Sequence, residues 1–247
     1  MTARPLKAAP RRQPAEEPPR SHTARGGGYL GIDIVSGYYP EGSILPGDAD
    51  LMERFAVSRT VLREALKMLA GKGLVQAKAR IGTRVRPRTE WNLFDPDVLI
   101  WHARNGFDDD FLSYLGEMRM ALEPEAAALA SARRTPEQLD ELYGWVDKME
   151  AARSSAPDFV HADLAFHLAV AAAAANPFLT SISTLIEVAL VAMLTISSPV
   201  EDSDQHSTSV AAHRAIADAI AVRNADLARE AMRTVINQGL ERRSAKR

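Results

Sequence analysis

The chain contains no cysteine, which removes disulfides and thiolate metal sites from its chemistry. It has no apolar stretch long enough for a secretory signal or a membrane span, so a cytoplasmic protein is expected. Charge of neither sign dominates, with 30 Lys and Arg against 32 Asp and Glu and a net charge of -2. No HExxH pair, cofactor loop or evident general base marks it as an enzyme. What the chain does have is bulk: 247 residues at 46% hydrophobic content suffice for one large or two ordinary domains.

The near-neutral total hides a split along the chain. Residues 1–27 hold 6 Lys/Arg against 2 Asp/Glu, residues 28–90 hold 10 against 7, and residues 91–247 hold 14 against 23. A basic front half can displace counterions from nucleic-acid phosphates, whereas an acidic rear half is repelled by them. The pattern suits a reader domain joined to a separate sensor. Residues 1–27, with Pro5, Pro10, Pro14, Pro18, Pro19, Gly26 and Gly27, lack the apolar content to fold and are expected to form a disordered leader.

Residues 57–69, VSRTVLREALKML, read as a helix with two unlike faces. Val61, Leu62, Ala65, Leu66, Met68 and Leu69 recur at three- and four-residue spacing, the mark of a helix packed along one side. Ser58 stands at its start as an N-cap. Arg59, Thr60, Arg63 and Lys67 fall on or near the other face, with donors gathered in the half that a recognition helix points into a DNA major groove. Alone, this pattern also describes an ordinary solvated helix; its neighbours argue otherwise. A shorter helix over about 48–55 precedes it across a tight joint at Ala56-Val57. Two short strands around Gly82 follow, and a basic hairpin after a second helix is a wing.

Residues 30–85, with Ser36-Gly37, Leu45-Pro46, VSRTVLREAL and GLV, resemble the N-terminal domain of GntR-family regulators. The resemblance implies that Arg59, Thr60 and Arg63 contact DNA and that Gly82 lies at a wing tip entering the minor groove. Ser58, Lys67, Arg80 and Thr83 complete the candidate DNA-binding set. Where family members commonly carry an acidic-basic pair after the Leu-Pro, this chain has Asp48-Ala49, so the usual arginine contact from that position is missing.

The expected organisation is a winged helix-turn-helix over 28–88, a linker over 89–95 and an all-α domain over 96–242, making the fold mainly α. Candidate helices in the rear half cover roughly 95–104, 108–132, 136–153, 157–174, 177–196, 207–222 and 225–242, punctuated by Gly106, Pro136, Pro157, Asn176-Pro177, Pro199 and Asn224. Dense alanine, as in residues 126–128 and 171–175, lets helices pack closely as a bundle.

Within it, Asp163 and His167 sit four residues apart and project from one helix face, so both can grip one cation; a surface Asp-His pair has the same spacing. DLAFH at residues 163–167 together with AHRAIADAI at residues 212–220 resembles the FCD sensor domain of FadR-type GntR regulators. That resemblance implies a divalent metal held by Asp163, His167 and His213, with Val235 standing where a fourth ligand is commonly His. One carboxylate and two imidazoles suit Zn²⁺ or a neighbouring transition metal, with open positions for an effector. Arg119 matches an arginine that the resemblance associates with effector carboxylates, and its planar fork suits bidentate binding. It is described as well by a structural ion pair with Glu123. His22, His102, His161 and His206 lack partners at ligand spacing, and Trp91, Trp101 and Trp145 suit packing.

Residues 91–101, WNLFDPDVLIW, are similar to the sugar-acid branch of the family, which implies an aldonate or related hydroxy acid as effector. The expected protein is a homodimeric repressor of a catabolic operon, since one recognition helix alone buries too little to be specific. Two other classes stay open: a metal-dependent enzyme using the two-His, one-Asp centre, and a nucleic-acid binder without effector.

Overall fold

The computed structural model describes residues 22–106, 109–196 and 198–245; most of the expected leader lies outside them. The first helix, α1 (His22–Val35), nevertheless begins inside that leader, so residues 22–27 are helical. Gly26 and Gly27 fall in the stretch expected to be disordered for want of apolar content, yet at Gly27 and Gly31 the missing side chain serves contact. A Cβ on Gly31 would stand 2.5 Å from Trp101 Cζ3, and one on Gly27 would collide with Met68 Cε. These glycines let α1 lie directly on its neighbours, and that packing outweighs their poor helix propensity.

Helices α2 (Asp48–Phe55) and α3 (Arg59–Gly71) form the helix-turn-helix. Ala56 closes α2 in the left-handed region at φ 51°, a conformation uncommon without glycine, and its N–H bonds the last carbonyls of that helix. Strands β1 (Val75–Lys78) and β2 (Gly82–Val85) pair antiparallel, Val75 opposite Val85 and Lys78 opposite Gly82, and Ile44 adds a bridge to Arg84. The three-residue turn Ala79-Arg80-Ile81 places Arg80 at φ 63°, the left-handed residue that such hairpins need. Leu30, Ile34, Leu51, Leu62, Leu69, Leu74 and Val85 make the core beneath.

The segment expected as a linker is not a free tether. Trp91 joins that same core, and its Nε1 donates to the Arg86 carbonyl at 3.0 Å. Helix α4 (Pro96–Asn105) starts at Asp95, which accepts from the N–H groups of Asp97 and Val98. Lys72, just past α3, lies 2.7 Å from Asp95 and 2.9 Å from Asp97 and sits over the Trp101 ring. Burial pulls the Lys72 ammonium downward, but the two carboxylates outweigh it and raise its pKa. Val98 and Trp101 face the N-terminal core, while Leu99 packs with Leu112, Leu115, Leu185 and Val188 of the bundle. One helix thus belongs to both halves.

The bundle comprises α5 (Asp109–Arg133), α6 (Pro136–Ala151), α7 (Ala156–Ala173), α8 (Pro177–Ser181), α9 (Ser183–Ile196), α10 (Ser203–Ala221) and α11 (Ala225–Ala245). The helix expected over 177–196 is broken at Ile182 into α8 and α9. Helix α10 starts four residues earlier than its sequence pattern suggested, because Asp202 caps it through Asp204 and Gln205 N–H. Phe159 and Phe166 are fully buried among small residues such as Ala127, Ala130 and Ala173, each contributing about 1.5 to 3 kcal/mol on removal from water. At one end Arg133, Arg134 and Arg223 donate to the final carbonyls of α7, α10 and α5, satisfying groups that a helix leaves unpaired. No helix among the described residues is long and apolar enough to cross a membrane.

Replacing Gly31 by Ala forces a methyl into the Trp101 ring, and overpacking of this kind costs about 1 to 3 kcal/mol. Chemical denaturation of the Gly31→Ala protein should show that loss; unchanged stability would refute the close α1–α4 packing.

Candidate DNA interface and buried metal centre

In α3 the apolar positions Leu62, Ala65 and Leu69 are buried, and Arg59, Thr60, Arg63 and Lys67 are exposed. Ser58 Oγ accepts from Val61 N–H at 3.3 Å, so this hydroxyl caps the helix at the edge of the same face. Arg59 and Arg63 rise from the first two turns, where the N-terminal end of the helix adds its own positive field. Lys67, one turn on, pairs with Glu64 at 2.7 Å with both side chains largely in water, an arrangement that contributes little to stability. On the wing Arg80 and Gly82 are exposed and Thr83 is half-buried, its carbonyl accepting from Leu45 N–H at 2.8 Å. Gly82 sits at φ 111°, which only glycine adopts without strain. Ala49 presents no donor beside the exposed Asp48 and Asp50 at the start of α2.

Inside the bundle, α7 carries Asp163 and His167 and α10 carries His213, each 3% exposed or less. They offer ligand atoms that all lie within 4.8 Å of one another. His213 Nδ1 lies 2.7 Å from the Ser209 carbonyl; a carbonyl only accepts, so Nδ1 carries a proton, and in the neutral ring Nε2 keeps its lone pair. His213 Nε2 then stands 3.2 Å from Asp163 Oδ1, and His167 Nε2 lies 3.8 Å from Asp163 Oδ2. His167 Nε2, His213 Nε2 and Asp163 Oδ2 have no hydrogen-bond partner despite full burial. Three acceptors converging without a donor repel one another unless a proton or a cation sits between them. The donor set, one carboxylate and two imidazoles, fits a divalent transition metal.

Two groups around this cluster escaped the sequence reading or were only half seen. Glu123, 2% exposed, accepts from Arg119 Nε at 2.5 Å and contacts His167 Nδ1 at 2.5 Å. Arg119, named from sequence as an effector contact, is itself 4% exposed and held in the ion pair weighed against that role. Burial pushes Glu123 up, but Arg119 and His167 outweigh it and hold its carboxyl at about 2. Asp163 behaves alike in the metal-free site: burial raises it, and His213 and His167 in their protonated forms, with Arg119, bring it down to about 2. Arg242 near the end of α11 is half-buried with no partner on Nε; burial lowers its pKa and the Asp163 charge opposes that. Its signal in the sequence was one of two adjacent arginines, Arg242-Arg243, in the last turn of a long helix, a pattern too common at helix ends to single out. Val235 is buried in the hydrophobic core, adding no polar group.

Three of the remaining histidines make other contacts. His206 is buried with Nε2 2.9 Å from the Met149 carbonyl, His102 stacks on Phe111 at 4.3 Å, and exposed His161 meets the edge of Trp145. His22 opens α1.

Residues 27–85 match the bacterial regulatory proteins of the gntR family, and residues 114–238 match the FCD domain. The galactonate operon transcriptional repressor of Escherichia coli K12 is 34% identical over 213 residues, covering 86% of this chain and 93% of the relative. The chain belongs to the GntR family. It is a ligand-responsive DNA-binding regulator with an FCD domain behind its winged helix. The HTH-type transcriptional repressor NanR of Cronobacter sakazakii is 31% identical, covering 81% of this chain and 76% of that protein. Among solved structures, one described as Lar, which controls expression of the Listeria monocytogenes agr system, has a TM-score of 0.61 at 18% identity, covering 93% of this chain and 99% of that one; this similarity concerns the fold. Relatives that are regulators do not favour the metal-dependent enzyme alternative.

Two outcomes follow from these geometries. Arg63→Ala should weaken specific operator binding by about 1 to 3 kcal/mol and leave the fold intact; a gel-shift titration with unaltered affinity would remove this helix from the interface. Ionised Asp163 stabilises the metal-free fold above its unfolded pKa near 4, and that contribution fades as pH falls toward about 2. The stability gap between wild type and Asp163→Asn in chelator should therefore close over that window on thermal unfolding; a gap constant with pH would contradict the depressed carboxyl.

Proposed function

We propose that this GntR-family member is a cytoplasmic homodimeric repressor of a catabolic operon, released from its operator by a small carboxylate such as a sugar acid. The observation that carries the sensor half is the convergence of Asp163, His167 and His213 on one buried, donor-free point beside Arg119. Zn²⁺ or a neighbouring transition metal is the proposed occupant, held by those three side chains. When bound it supplies the positive charge the three acceptors share, and Lewis acidity toward a hydroxy-carboxylate. Arg119 and Arg242 supply fixed positive charge for the effector's carboxylate. The relatives named for galactonate-operon repression and as NanR repressors support this sign of regulation and this chemical class.

The cavity beside the cluster, lined by Glu123, His167, Val170, Leu179, Ile186 and Met232, encloses about 10 Å³, room for roughly one water. A sugar acid therefore enters only if the surrounding helices give way, and its binding selects a more open bundle. Because α4 is packed into both cores, a change in the bundle alters how the two winged helices of a dimer are presented to their half-sites. On the DNA, Arg59, Thr60 and Arg63 read base edges in the major groove. Ser58, Lys67, Arg80, Gly82 and Thr83 hold the backbone and the wing.

The decisive measurement combines elemental analysis with a gel shift on the operator nearest the chain's own gene. Near-stoichiometric metal is expected in the wild type and little in His167→Ala, together with operator release by a sugar acid that chelator suppresses. Wild-type protein without stoichiometric metal would refute the metal reading, and release unaffected by chelator would separate the effector from it.

A further inference from the structure

His167 and His213 present equivalent nitrogens to Asp163, yet the two rings are oriented by unlike groups. For His213 the outer partner is a neutral carbonyl, Ser209 O. For His167 it is the Glu123 carboxylate, which arrives from a different helix, α5, with Oε2 2.5 Å from Nδ1. The contact lacks the alignment of a straight hydrogen bond, but its electrostatics leave little choice. A lone pair on Nδ1 facing a carboxylate oxygen at that distance is repelled, whereas an N–H there is attracted. In the neutral ring the proton therefore belongs on Nδ1, and the Nε2 lone pair is turned to the point where Asp163 and His213 converge. Glu123 is in turn fixed by Arg119, through Nε to Oε1 at 2.5 Å and Nη2 to Oε2 at 3.3 Å.

We propose that Glu123 is a positioning residue of the metal centre: its carboxylate sets the tautomer and angle of His167 while anchoring the Arg119 guanidinium. The inference rests on the reading of Asp163, His167 and His213 as metal ligands. A carboxylate behind an imidazole ligand raises its basicity and fixes its ring, and loss of such a partner typically costs 10- to 100-fold in metal affinity. Glu123 matters more here than in a four-ligand site, since Val235 brings no further donor and each remaining ligand carries a larger share.

Co²⁺ titration followed by visible absorption tests this on the full chain. Glu123→Ala should bind Co²⁺ about 10- to 100-fold more weakly with a shifted ligand-field band. Glu123→Gln, whose amide oxygen keeps a negative dipole end facing Nδ1–H, should restore both toward wild type. Wild-type affinity and spectrum in Glu123→Ala overturn the inference alone; a wild type that takes up no Co²⁺ brings down the metal reading and this inference with it. Because Glu123→Ala strands a buried arginine and can block folding, the metal-free wild type gives a second readout. Long-range ¹H–¹⁵N correlation at alkaline pH should find His167 in its Nδ1–H form, and an Nε2–H tautomer overturns the role given to Glu123.

Discussion

Asp163 and Glu123 lie at the centre of an alanine-rich bundle, and carboxylates so deeply buried persist only where positive charge or N–H donors meet them. Glu123 is met by Arg119 and His167; Asp163 is met by His213 and His167. His167 alone touches both carboxylates and so joins the two pairs into one network. The small side chains around the network bring α5, α7 and α10 close enough for these contacts. The bundle is therefore built around a charge balance as much as around its apolar core, and a cation or a carboxylate arriving there changes that balance directly.

The bundle and the winged helix are joined by packing. Helix α4 carries Leu99 into the α5–α9 cluster and Val98 and Trp101 into the winged-helix core. Lys72, at the end of the recognition helix, is bound to Asp95 and Asp97 at the start of α4. Gly31 allows Trp101 to press on α1. Helix α4 thus touches α1, the end of α3 and the bundle at once. In the proposed mechanism, this is the path by which a population shift in the bundle would alter operator spacing.

Much of this was legible in the residues. The recognition helix announced itself through apolar spacing and its Ser58 cap, and the wing through Gly82 between two short β-prone runs. Asp163 and His167 were visible because i, i+4 spacing is itself a geometric statement. Less legible were features that depend on what lies opposite. The end of the leader looked disordered because the partners of Gly27 and Gly31, Met68 and Trp101, are distant in sequence. The linker looked like a tether because nothing local says that Trp91 fills a core. Helix 177–196 read as continuous because its break at Ile182 carries no Gly or Pro. Glu123 looked like the ion-pair partner of Arg119 and nothing more.

By itself the sequence determined the local codes: which faces of which helices are apolar, where caps and turns fall, which family the motifs match, and which three residues have metal-ligand chemistry. These are short-range properties of spacing and residue type. Tertiary structure alone decided that His213 meets Asp163, that Glu123 stands behind His167, that Arg119 is already engaged, and that α4 serves two cores at once. Each of those depends on atoms from separate helices meeting within a few ångströms, a relation that helix periodicity does not encode and that only the closed packing of the whole chain supplies.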